Sequence, residues 1–213
     1  MNERNHELET LQDIKRIMER SSRFISLSGL SGIVAGVCAL IGAYIAYNRI
    51  AGFHAENEES VYNNETNFSN LKFDLLLLGG IVLVIALASA FYLTWRKAKH
   101  DKLPLWEPAS RKLLFNMLLP LVSGGLFILA MVQYNAWIFI APACLIFYGI
   151  ALVNASKFTL NEVKYLGICQ IVLGLISTQF VGYGLYFWAF GFGILHILYG
   201  IIMWLKYERK NVA

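Results

Sequence analysis

Six apolar stretches take up most of this 213-residue chain: Phe24 to Tyr47, Phe73 to Trp95, Leu113 to Gln133, Trp137 to Ala155, Tyr165 to Tyr183 and Leu185 to Leu205. A hydrocarbon core roughly 30 Å thick needs about 20 apolar residues in a helix to cross it, and each stretch meets that length. Inside a bilayer every backbone N–H and C=O must be satisfied within its own segment or in a closed barrel. Segments of this length therefore predict an all-α fold, a polytopic transmembrane bundle of six helices. Apolar residues make up 57% of the chain and charged residues only 15%, which excludes an ordinary soluble domain. The links Tyr134 to Ala136 and around Gly184 are so short that segments three and four, and five and six, must be antiparallel neighbours. Three stacked hairpins of one orientation are the natural arrangement.

Charge sets the direction of the helices. Of the 18 Lys and Arg residues only Arg49 and Lys72 fall on one side of the spans. The rest lie in the first tail (residues 1–23), the loop 96–112, the link carrying Lys157 and Lys164, and the C-terminal tail (206–213). By the positive-inside rule both termini are cytoplasmic, with the transmembrane domain at 24–205. The external stretch from Asn48 to Lys72 reads as one long loop. It carries Glu56, Glu58, Glu59 and Glu65, and it contains two glycosylation-type triplets, Asn64-Glu65-Thr66 and Asn67-Phe68-Ser69, that an Asn-rich stretch produces readily by chance. The first apolar stretch follows a 23-residue polar tail and is too long for a signal-peptide core, so it is expected to be an uncleaved anchor.

Small and polar residues recur at helical spacing within the spans. Ser28, Gly32 and Gly36 line one face of the first helix, Gly174 lies on the fifth, and Gly193 and Gly200 on the sixth. Such small-xxx-small faces let helix backbones approach closely, so these six residues are candidate packing positions. A second set, His196, Gln170, Ser177, Thr178, Asn116 and Ser123, is the candidate interior polar cluster. His196 is the one ionisable group near mid-bilayer, and such a group is a functional candidate by default. Gln170, Ser177 and Thr178 are its expected partners. The bland alternative is that all of these residues serve only helix packing. The spans hold no interior Asp or Glu for a proton relay, and neither Cys169 nor His196 has further ligands at metal-site spacing, so no cofactor or metal is expected. A weak Ser–His pair without a third group argues against an enzyme.

Phe147-Tyr148-Gly149-Ile150 and Leu198-Tyr199-Gly200-Ile201 fall 51 residues apart, each late in the second helix of a hairpin, with a thinner match at Phe91-Tyr92. Duplication and coincidence account equally well for a match this short.

The stretch Glu19-Arg20-Ser21-Ser22-Arg23-Phe24-Ile25-Ser26-Leu27-Ser28-Gly29-Leu30-Ser31-Gly32, with Lys164-Tyr165-Leu166-Gly167 and Phe192-Gly193-Ile194-Leu195-His196-Ile197-Leu198-Tyr199-Gly200, resembles a family of small bacterial six-helix inner-membrane proteins with no assigned activity. The resemblance covers about a third of the chain. It implies a bacterial inner-membrane setting and no particular chemistry.

Two functional readings remain. The first is a non-enzymatic structural, regulatory or partner-binding membrane protein. Its partners would be the lipid bilayer and a protein docking at the amphipathic tail, where Leu8, Leu11, Ile14 and Met18 share a face, or at the 96–112 loop; a homo-oligomer is compatible and nucleic acid is not called for. The second is a small permease or channel for a neutral or weakly charged solute, lined by the polar cluster.

Overall fold

The computed structural model describes residues 28–59, 64–100 and 108–209. The N-terminal tail 1–23, the middle of the 96–112 loop and the last residues of the C-terminal tail lie outside the described residues. The described chain is helical, without strands: α1 (Gly29–Glu59), α2 (Asn64–His100), α3 (Pro108–Gln133), α4 (Trp137–Phe158, with a short 3₁₀ turn at each end), α5 (Asn161–Ser177) and α6 (Gly184–Glu208). All but α5 are long and apolar enough to cross a membrane.

Helix ends depart from the hydropathy boundaries. The stretch read as a long external loop is mostly helix, because α1 runs on to Glu59 and α2 begins at Asn64. Ala51, Ala55 and the glutamates after them are good helix formers, and no proline intervenes to end the helix where its apolarity ends. The fifth apolar stretch, 165–183, shifts the other way. Helix α5 occupies Asn161–Ser177, 17 residues, and the chain then turns through Gly182, whose φ of +91° is a conformation suited to glycine. The apolar residues Phe180, Val181 and Tyr183 belong to that turn, so their hydropathy extended the stretch beyond the helix.

The small residues lie where helix backbones come close. Along the α6–α1 seam, a Cβ added at Gly200 would lie 2.6 Å from the Gly29 carbonyl oxygen, and one added at Gly29 would lie 2.6 Å from the Gly200 oxygen. The α4–α5 seam is built the same way: a Cβ at Gly149 would meet the Gly167 oxygen at 2.7 Å, and one at Gly167 the Gly149 oxygen at 2.8 Å. One helical layer further on, Gly36 admits Ile197 and Gly174 admits Ile146, each with 2.7 Å to the isoleucine from a built Cβ. Gly32 sits over the Gly200 Cα, Gly193 receives Leu40, and Ser28 is buried beside them. The residues in corresponding roles, Gly149 with Gly200 and Ile146 with Ile197, stand 51 apart in the sequence. Two seams of the bundle thus share one backbone-to-backbone design, which favours duplication over coincidence.

The outer helices are held differently. Val82 of α2 fills the space over Gly42 of α1, and Phe147 of α4 fills that over Gly124 of α3. Helix α2 packs along α1 and, among the described residues, not along α3. The seam between α2 and α3 is therefore open among the described residues. Pro120 sits inside α3, buried, where its missing N–H and ring leave one helical bond unmade.

Candidate functional site

The candidate site assembles where α4, α5 and α6 meet, and it is organised by an irregularity in α6. Residues Ala189–Leu195 form a π-helical turn between the α-helical pieces Gly184–Trp188 and His196–Met203. Such bulges are rare and recur at functional sites because they re-aim backbone groups. Here the Gly191 carbonyl becomes the hub. Gln170 of α5 donates its Nε2–H to it at 2.7 Å, and His196 Nδ1 lies 3.0 Å from it. The close approach needs glycine, since a Cβ at residue 191 would fall 2.6 Å from Gln170 Oε1 and 2.4 Å from Leu145 Cδ2.

These contacts fix the histidine tautomer. A carbonyl only accepts, so Nδ1 carries the proton, and Nε2 is left as the acceptor for the Tyr148 hydroxyl of α4 at 2.8 Å. In the neutral imidazole both ring nitrogens are thereby used. Phe192 stacks on the imidazole with centroids 5.8 Å apart and lies 5.1 Å from the Tyr148 ring, closing the site on its aromatic side. Gln170 is fully buried, Ser177 is 3% exposed and His196 7% exposed. Two buried acceptors, Gln170 Oε1 and Ser177 Oγ, have no hydrogen-bond partner among the described residues.

Of the six polar candidates, the structure brings His196 and Gln170 together, on one carbonyl, and buries Ser177 on the same helix as Gln170. The others turn back on their own helices. Asn116 donates to the Lys112 carbonyl at 2.8 Å, Ser123 to Leu119 at 2.9 Å and Thr178 to Leu175 at 2.7 Å. Tyr148 is the member that sequence reasoning missed. Its only signal was the Tyr-Gly-Ile match to Tyr199, which marks a shared helix position and says nothing of a hydroxyl bond.

At the end of the bundle that carries the basic residues, a second polar set ties the helix ends together. Glu208 Oε1 accepts from the Gly29 backbone N–H at 2.8 Å and from Lys97 Nζ at 3.1 Å, joining α6, α1 and α2. Glu162, at the start of α5, accepts from Lys206 and, at 3.0 Å, from the Tyr207 hydroxyl. Burial acts to raise the Glu162 pKa, but hydrogen bonds from Lys206, its own backbone N–H and Tyr207 outweigh it and hold the carboxyl below its ordinary value. The position at the first turn of α5 also places this carboxylate at a positive helix end.

Among the described residues no group of three or more His, Cys, Asp or Glu could hold a metal ion. No family model, curated protein or solved structure matches this chain.

Proposed function

We propose that the chain is a non-enzymatic integral membrane protein of the bacterial inner-membrane family that its ends resemble, crossing the membrane six times with both termini cytoplasmic, and that it works by presenting its cytoplasmic tail and basic loop to a protein partner. The observation that carries this reading is how the buried polar groups are used. His196, Tyr148 and Gln170 bind one another through the Gly191 carbonyl, while Asn116, Ser123 and Thr178 bind carbonyls of their own helices. The first set ties α4, α5 and α6 to one another, and the second leaves its hydroxyl and amide donors satisfied within single helices. The ties at Glu208 and Glu162 support the second half of the proposal, because they make the ends of α1, α2, α5 and α6 a fixed platform from which the N-terminal tail and the 96–112 segment emerge.

A permease for a neutral or weakly charged solute is the second reading. It is favoured by Gln170 Oε1 and Ser177 Oγ, two buried acceptors without partners among the described residues, which a passing solute could use. Two experiments separate the readings. Photo-crosslinkers at residues 8 to 18 in intact cells should trap one dominant protein, and recovery of lipid alone would count against the partner reading. Solute flux through reconstituted protein that vanishes in His196→Ala, with the folded fraction unchanged, would establish the permease instead. Reporter fusions at Glu58 and Ala213 test the orientation, and activity from both on the same side would refute it.

A further inference from the structure

The open seam between α2 and α3 ends, on the side away from the termini, in a built cationic cradle. Helix α3 stops there in a Schellman motif: the Ala136 N–H bonds to the Met131 carbonyl at 2.8 Å and the Asn135 N–H to the Val132 carbonyl at 3.2 Å. The residue in the left-handed position of that motif is ordinarily glycine, and here it is Asn135, with φ +58°. Its side chain explains the choice. Asn135 Oδ1 accepts from Lys72 Nζ of α2 at 2.9 Å and, more weakly, from Trp137 Nε1 at 3.4 Å. The Lys72 ammonium also lies 4.2 Å from the Phe68 ring centroid and 5.0 Å from that of Trp137.

One amide and two rings position the ammonium without neutralising it, and no ion pair involves Lys72 among the described residues. Asp74, two residues on, is committed to Arg49 at 3.6 Å. The cradle opens into a groove of about 630 Å³ lined by Phe68, Lys72 and residues 135–139. Below it α2 and α3 do not pack, and both present large exposed apolar side chains, among them Leu76, Ile81 and Leu87 on α2 and Leu119, Val122 and Leu126 on α3. A fixed cation with two flat aromatic walls at one end of an apolar, unclosed seam matches an amphiphile with an anionic head. A tryptophan at this depth matches the headgroup level.

We infer that this seam binds an anionic phospholipid of the outer leaflet, its phosphate held at Lys72 and its acyl chains between α2 and α3. The inference rests on the membrane placement proposed above. A fixed cation beside aromatic walls at one end and exposed apolar side chains along the rest match the two ends of a lipid, so the lipid is the proposed occupant, and a second copy of the chain is an outcome of the test.

The test is native mass spectrometry of the full chain released from nanodiscs, titrated with phosphatidylglycerol, with phosphatidylcholine of the same acyl chains, and with inorganic phosphate. One phosphatidylglycerol should bind about fivefold more tightly than phosphatidylcholine, the factor that one basic side chain contributes at an anionic headgroup. Lys72→Gln should abolish the preference, Lys72→Arg should retain it, and Arg49→Gln, which alters the neighbouring external cation, should leave it intact. Equal binding of the two lipids, a preference that survives in Lys72→Gln, inorganic phosphate that competes the lipid off, or a dimer that forms without lipid and is lost in Lys72→Gln would each overturn the inference. Failure of the wild type to enter nanodiscs would overturn the membrane placement as well, whereas entry without lipid discrimination would refute the Lys72 site alone.

Discussion

Adding one methyl group to a seam glycine is the sharpest test of how this bundle is held. In Gly200→Ala the new Cβ would sit 2.6 Å from both the Gly29 oxygen and the Ile33 nitrogen, backbone atoms that cannot swing aside. Ordinary contact distances are well above 3 Å, so α1 and α6 must separate by several tenths of an ångström along the seam. Overpacking of this kind costs about 1–3 kcal/mol. Alanine's better helix propensity offsets this by roughly 0.5–1 kcal/mol, leaving a net loss of roughly 0–2.5 kcal/mol, centred near about 1 kcal/mol. Gly149→Ala places its methyl 2.7 Å from the Gly167 oxygen and should cost the same, because its seam has the same construction. Gly79→Ala and Gly125→Ala are the controls, since a Cβ at either meets nothing within 4 Å. The assay is reversible unfolding in mixed micelles, followed by circular dichroism or by trapping of separated helices. Wild-type stability in Gly200→Ala, or equal losses in Gly79→Ala, would refute the close-packed seam. A loss at residue 200 with none at residue 149 would refute the shared design.

Three further expectations follow from the polar contacts and the packing. Tyr148→Phe leaves His196 Nε2 buried without its donor, and should cost about 0.5–2 kcal/mol, within the range of hydrogen bonds in membrane bundles; a Tyr148→Phe/His196→Ala cycle showing no coupling would refute the bond. Because the folded pKa of Glu162 lies below its ordinary value of 4.5, its contribution to stability is complete above pH 4.5 and is lost as pH falls through the folded value. Glu162→Gln should flatten that acid-side loss, and an unchanged pH profile would refute the tie to Lys206 and Tyr207. Hydrogen exchange should be slower in α4, α5 and the α6 segment around Gly193–Gly200 than in α2, whose outward face is unburied; equal protection throughout would refute the division into core and peripheral helices.

The helical, apolar architecture was legible because hydropathy records what a bilayer-crossing helix must be. Helix ends were not legible from the same signal. Residues 48–59 are polar and helical, and residues 178–183 are apolar and not regular helix, since the polarity of a residue says where it sits and not whether the backbone coils there. The glycine stripes are legible in the sequence as candidate packing faces, because removal of a Cβ lets helix backbones approach closely. The polar cluster was half legible. Burial of Gln170 and His196 follows from their place on those stripes. The π turn that lifts the Gly191 carbonyl between them has no sequence mark beyond Gly191 and Gly193, and Tyr148 came from a helix whose small residues were never on the candidate list.

The distribution of close contacts argues for where this protein acts. Two seams are close-packed at the level of backbone atoms, α1 with α6 and α4 with α5, and the Tyr148–His196 and Gln170–Gly191 bonds join the two pairs into one unit. Helix α2 packs along α1 and α3 along α4, with side chains filling the glycine notches, Val82 over Gly42 and Phe147 against Gly124. Side-chain contacts of this sort can rearrange while the unit stays intact. The basic 96–112 segment connects these two helices on one face, with Lys97 tethered to Glu208. On the opposite face the Lys72–Asn135 bond draws α2 toward the end of α3. A shift of α2 relative to α3 would therefore register at both faces: at the Lys72 cradle, where lipid composition differs from membrane to membrane, and at the loop where a partner would dock. The histidine cluster lies inside the close-packed unit and is insulated from such a shift, so the two hypotheses about this protein concern different parts of it and stand or fall separately.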